Sequence, residues 1–199
     1  MTALVVSIEA EEASALLFRT LGAHRTAVTA LRPRPATRLP GTGGNDKEQI
    51  QCQATLVRLL SITESFASQL LSRKIDKVVA RARSAAVDSV WDDAALRGTS
   101  SWREQQYSYR DWLGVKVDWK TVERLAEARN AVAHGLGALT RRQLRNETSV
   151  RLKLKRAGIT LAGRRIVLSD AALAAAAAEC RDLIHRIDLA VQARPAQYR

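Results

Sequence analysis

The sequence predicts an all-α fold, a helical bundle interrupted by one small β-hairpin before its last helix. Apolar residues return every 3.5 to 3.6 positions along most of the chain, the period of a helix with one buried face. The 199 residues are 46% apolar but only 5% aromatic, and much of the apolar content is alanine. That composition suits helices that approach closely through small side chains. Paired strands are suggested most clearly in Gly158 to Leu168, a short run that turns at Ala162-Gly163.

Taken in order, residues 1–31 form a helical segment of one or two helices, with Ile8, Leu16, Leu17, Leu21, Val28 and Leu31 as apolar contacts. Residues 32–46 contain Pro33, Pro35, Pro40, Gly41, Gly43 and Gly44 and read as a linker or loop. No Gly-Lys-Ser/Thr follows these glycines, so a phosphate-binding loop is rejected. From Asp46 to about Ala86 runs the longest helical pattern, through Ile50, Leu56, Val57, Leu59, Leu60, Phe66, Leu70, Leu71, Ile75, Val78 and Val79, with a candidate break near Arg73. It is the expected wall for the helix that follows. Asp88 to Gly114 gathers Trp91, Trp102, Tyr107, Tyr109 and Trp112. These rings suit stacking on unpaired bases or covering the end of a bundle, and the second use is the commoner one. Val150 to Gly158 fits a strand or a short helix capped by Ser149, and Gly158 favours the helix by ending it. Ser169 or Asp170 caps a final helix with Leu173, Ala177, Cys180, Leu183, Ile184, Ile187 and Val191 on one face. A main helical domain is therefore expected over 47–192, with a tail over 193–199.

A net charge of +12 and a pI near 10.6 point to an anionic partner, nucleic acid ahead of a membrane surface. Cys52 and Cys180 form no CxxC pair and read as reduced core residues, with a bridge between helices as the alternative. The apolar run Ala3–Ile8 has no basic residue before it, unlike a secretory signal. Ala171–Ala178 is too short to span a bilayer. A cytoplasmic location without a membrane partner is the expectation.

The most informative stretch is Glu127-Ala128-Arg129-Asn130-Ala131-Val132-Ala133-His134-Gly135. It reads as the end of a helix with Asp118 as N-cap and Gly135 past the C-terminus. At about 100° per residue, Val122, Leu125, Ala126, Val132, Ala133 and Leu136 share one arc, opposite Glu123, Glu127, Asn130 and His134. Arg129 falls inside the apolar arc and needs a partner, since a buried lone guanidinium is costly. Glu64, the one carboxylate in the central apolar part of the preceding long helix, is the candidate for a purely structural ion pair.

Arg129-Asn130-x-x-x-His134 followed by Gly135 resembles the signature of the HEPN superfamily, in its RiboL-PSP-like branch. The resemblance extends from about Trp112 to the last helix. It implies a HEPN-like helical bundle over 47–192 and a metal-independent endoribonuclease without cofactors, acting as a toxin or antiviral effector that an antitoxin could silence. Arg129 and His134 match the family's catalytic pair and Asn130 its polar position. The chemistry is self-consistent. RNA supplies its own nucleophile, the 2′-hydroxyl; an imidazole can take that proton near neutrality, and a guanidinium can hold the phosphate oxygens. Asn130, one turn before His134, can fix the ring, and Glu127 can support it at another angle. Glu147 alone opposes the basic run after the motif, of which Arg141, Arg142, Arg145, Lys153 and Lys155 are the expected RNA contacts. Positions five apart on a helix diverge by about 140°, so Arg129 and His134 do not meet easily within one chain. A two-fold homodimer would bring them together, and HEPN ribonucleases are such dimers. His24 and His185 have no ligand spacing, so no metal site is expected. The alternative is a non-catalytic HEPN module that binds nucleotide or protein.

Overall fold

The computed structural model describes residues 5–31, 44–82 and 85–194. The expected linker lies outside them as far as residue 43, and the expected tail from residue 195. In chain order the elements are α1 (Ile8–Leu31), α2 (Gly44–Ala82), α3 (Ala85–Gly98), α4 (Trp102–Leu113), α5 (Lys120–Gly135), α6 (Arg141–Leu144), α7 (Glu147–Arg156), β1 (Thr160–Ala162), β2 (Arg165–Val167) and α8 (Asp170–Gln192). The fold is all-α, and the one sheet among the described residues is the antiparallel pair β1–β2, in which Thr160 faces Val167 and Ala162 faces Arg165. Helix α2 runs through Arg73 without a break. Of its periodic residues, Leu56, Leu59, Leu60, Phe66, Leu70 and Leu71 are buried, Val57 is half-buried, and Ile50 and Val78 at either side are exposed. On α1 the buried face is Ala10, Ser14, Leu17, Leu21, His24 and Val28. That stripe leaves Ile8 and Leu31 in solvent and puts a serine and a histidine inside, where apolar residues alone were expected.

The described residues divide into two compact units, one lying within Met1–Ser14, Ile62–Trp119 and Arg181–Arg199, the other within Ala15–Ser61 and Lys120–Cys180. The first unit holds the tryptophans together with Tyr107 and Tyr109. Tyr109 is buried and donates to the Ala67 carbonyl at 2.7 Å, and burial pushes its phenol far above the ordinary range. Trp119 lies against Tyr109 and Trp102, while Trp91 meets Trp112 edge-on at 5.5 Å. Tyr107 is covered by the Arg103 and Arg110 guanidinium groups. These rings are engaged with one another and with cations, which is the core-covering use of aromatic residues.

The second unit carries the motif. Its core includes Leu56, Leu59 and Leu60 of α2, Leu154 of α7, and Leu173, Ala177 and Cys180 of α8, all nearly or fully buried. The Ser169 hydroxyl accepts from the Ala172 amide at 3.1 Å, so Ser169 opens α8. Helix α7 exists, as Gly158 favoured, but it starts at Glu147 behind Asn146, which places Ser149 inside it. Both cysteines are buried, and no disulfide joins them. His24 is buried with Nδ1 3.0 Å from Thr55 Oγ1, and its Nε2 lies 3.9 Å from Cys52 Sγ. Burial, assisted by the neighbouring Arg25, lowers its proton affinity against the opposing pull of Asp170 and Glu48. Burial also raises that of the Cys52 thiol.

Candidate active site at the end of α5

Helix α5 begins at Lys120, two residues after the expected cap Asp118. Its buried residues are Val122, Leu125, Ala128 and Ala131, a stripe that faces α7 and β2. Spacing of three per contact turns this stripe slowly around the helix, so the expected arc is corrected at its far end. Val132 is half-buried, and Ala133 and Leu136 are exposed. Arg129 sits on the flank of the stripe, half-buried. Its Nη1 donates to Asn130 Oδ1 at 3.3 Å, and it forms no ion pair among the described residues. Glu64 belongs to the first unit and is half-buried.

His134 is exposed in the last turn of α5. At about 100° per residue Asn130 stands about 40° from it, on the circumference between His134 and Arg129. The Asn130 amide oxygen is thus engaged by the guanidinium instead of the imidazole. Glu127 points elsewhere than expected. Its Oε1 accepts from Lys153 Nζ at 2.8 Å and its Oε2 from Gln143 Nε2 at 3.1 Å, so α6 and α7 hold it instead of the His134 ring. The same contact corrects the reading that Glu147 alone opposes the basic run, because Glu127 offsets Lys153. Glu147 itself pairs with Arg151, which also donates to the Gly163 carbonyl at 2.9 Å.

The chain reverses after His134 by a route the sequence reading missed. Gly135 is still helical; the left-handed residues are Leu136 at φ 51° and Gly137 at φ 84°. A Cβ at Gly135 would lie a tight 3.3 Å from Thr140 Cγ2 and at ordinary contact, 3.5 Å, from the Thr140 nitrogen, so the segment after α5 passes close to this glycine. Gly137 donates to the Ala131 carbonyl at 3.1 Å, and Ala138 to that of Gly135 at 2.9 Å. Thr140 then caps the short helix α6 reciprocally with Gln143. The spacing Thr140-x-x-Gln143 was the available signal for this element. Gln143 is buried and its Nε2 also donates to the Glu127 carbonyl at 2.8 Å, tying α6 back to α5. The hairpin is fastened to the same place. The Leu139 amide donates to the Arg164 carbonyl at 2.9 Å, Ile166 donates to that of Gly137 at 2.8 Å, and Ala138 bridges Arg165.

These backbone ties decide which cations surround the end of α5. Arg141 and Arg142 open α6 beside Thr140, and Arg164 and Arg165 ride on the segment paired with 137–139. All four are exposed, and none forms an ion pair among the described residues. Arg145 and Lys155 are exposed as well, whereas Lys153 is half-buried against Glu127. Among the described residues no group of three or more His, Cys, Asp and Glu is placed to hold a metal ion. No helix among them is long and apolar enough to cross a membrane. Compared with known proteins, the chain matches no family model, no curated protein and no solved structure.

Proposed function

We propose that the protein is a metal-independent endoribonuclease of the HEPN type, with Arg129 and His134 as its catalytic pair. The observation that carries the reading is an exposed histidine and a half-exposed arginine at the end of one helix, beside four exposed arginines that form no ion pair among the described residues. In the reaction the imidazole takes the proton of a ribose 2′-hydroxyl, whose oxygen attacks the adjacent phosphorus. The bond from phosphorus to the 5′-oxygen breaks, that oxygen is protonated, and a 2′,3′-cyclic phosphate remains. Arg129 holds the non-bridging oxygens as negative charge builds on them. Asn130 orients the guanidinium through its amide oxygen. Glu127 serves the reaction indirectly, by holding α6 and α7 against α5.

The two reacting groups are brought to one phosphate by a second copy of the chain, with Arg129 of one protomer facing His134 of the other across a two-fold axis. Arg141, Arg142 and Arg145 bind the RNA backbone, with Lys155 beyond them and Lys153 weakened by its carboxylate. A toxin or defence role with an antitoxin partner follows from the resemblance to the family, as does action in the cytoplasm. Expression tests that role directly: host growth is arrested by the natural chain and restored by His134→Ala. Arrest that persists in both His134→Ala and Arg129→Ala would remove the catalytic reading and leave a non-catalytic binding module.

A further inference from the structure

We infer that the first unit carries a binding site for a small phosphate monoester, in a cavity that Lys74 and Lys77 of α2 line together. This goes beyond the ribonuclease reading and does not depend on it. The cavity has a volume of about 290 Å³, at the lower end for ligand pockets, and all of its lining belongs to that one unit. Ser7 stands before α1, Leu70 and the two lysines lie on α2, and Asp188 and Gln192 lie on the last turns of α8. The sequence sets the lysines there. Leu70 and Leu71 end the buried stripe of α2, and the same stripe, continued at helical spacing, reaches Lys74 and then Lys77. An aliphatic residue at either position would extend the core.

The charges around the cavity choose the ligand. Arg73 is held by Glu9, with Nη1 2.9 Å from Oε1. Asp188 is buried and accepts from the Ser7 amide at 2.7 Å, the Ser7 hydroxyl at 2.9 Å and Gln192 Nε2 at 2.8 Å. Lys74 and Lys77 form no ion pair among the described residues. Lys74 is half-buried, and burial, followed by the nearby Lys77 ammonium, lowers its proton affinity against the pull of Asp188. Two like charges in a partly dry cavity destabilise the empty state, and an anion between them removes both penalties. A phosphate monoester carries close to two negative charges at neutral pH, and its oxygens can be shared by two point-like cations. The exposed Val5 and the side chain of Leu70 give the wall an apolar part for the esterified group. The volume suits one phosphate with a small remainder.

Inorganic phosphate is the probe, with chloride at matched ionic strength and acetate as controls. The expected result is a rise in the thermal unfolding midpoint that phosphate gives and neither control gives. In Lys74→Met and in Lys77→Met the midpoint without phosphate lies at or above the natural one. The rise is lost in both, and phosphate affinity measured by calorimetry falls roughly tenfold. Arg129→Ala keeps the rise, which separates this site from the end of α5. A second readout uses the natural chain alone: phosphate slows labelling of the Lys74 amine severalfold, followed by mass spectrometry. A rise that persists in either lysine variant, that chloride or acetate matches, or that Arg129→Ala abolishes overturns the inference. Labelling of Lys74 that phosphate leaves unchanged overturns it as well. Each of these outcomes leaves the ribonuclease reading standing.

Discussion

At the scale of single residues, groups that hold the fold differ from those proposed to react. Arg129 and His134 are of the proposed reacting kind, one flanking the buried stripe and the other exposed. Replacing either by alanine is expected to leave the urea unfolding midpoint within about 0.5 kcal/mol of the natural chain, as surface changes usually do. His24 belongs to the first kind. Its folded form prefers to be neutral, so between the ordinary histidine value of about 6.5 and its lowered folded value the unfolded chain binds a proton that the folded chain does not. Its contribution is complete above about pH 6.5 and is lost as the pH falls toward the lowered value. Urea midpoints at pH 7.5 and 5.5 should therefore differ more in the natural chain than in His24→Asn. An equal difference would show that His24 is not the sensitive group. Residue identity alone revealed neither fact. Arg129 looked buried because the stripe on α5 was assumed to keep to one line, and His24 looked ordinary because helical periodicity in α1 was read from apolar residues only.

At the scale of elements, periodicity was the legible part. The final helix buries every residue its pattern proposed, and the hairpin turns where the glycine suggested. What periodicity cannot reach is how the chain leaves a helix. The left-handed pair Leu136-Gly137 and the four-residue α6 depend on tertiary hydrogen bonds, and a leucine in that conformation gives no sequence signal. Gln143 shows how much one buried polar side chain can organise, since its amide closes the cap at Thr140 and binds both the carbonyl and the carboxylate of Glu127. Gln143→Ala is expected to cost about 1 to 2 kcal/mol, the range for a lost cap together with an unsatisfied partner. Leu154→Ala removes the fully buried anchor of α7 and is expected to cost about 2 to 5 kcal/mol. Denaturant unfolding distinguishes the two, and a loss below 0.5 kcal/mol in roughly either case would contradict this packing account.

At the scale of the whole molecule, charge and assembly govern the reading. The net charge of +12 was legible at once, and the exposed arginines beside the α5 terminus, which form no ion pair among the described residues, give it a location. The sequence could not show which cations are already spent, because Lys153 meets Glu127 across 26 positions of chain. The proposed two-fold site makes a sharp prediction about mixtures. If Arg129 of one protomer works with His134 of the other, Arg129→Ala and Histidine-lacking His134→Ala chains are each inactive alone. Mixed after partial unfolding and refolded together, they form heterodimers with one intact site, and cleavage returns. No recovery in a mixture shown to contain heterodimers would place both groups in one chain or remove the pair.

The central claim is that Arg129 and His134 cleave RNA without a metal ion, and one measurement bears on it most directly. Purified protein is incubated with total RNA in excess EDTA, beside Arg129→Ala and His134→Ala, and the product ends are analysed. The account predicts cleavage by the natural chain in chelator, 2′,3′-cyclic phosphate ends, and no cleavage by either variant. Cleavage that stops with EDTA, or that survives in both variants, would contradict it.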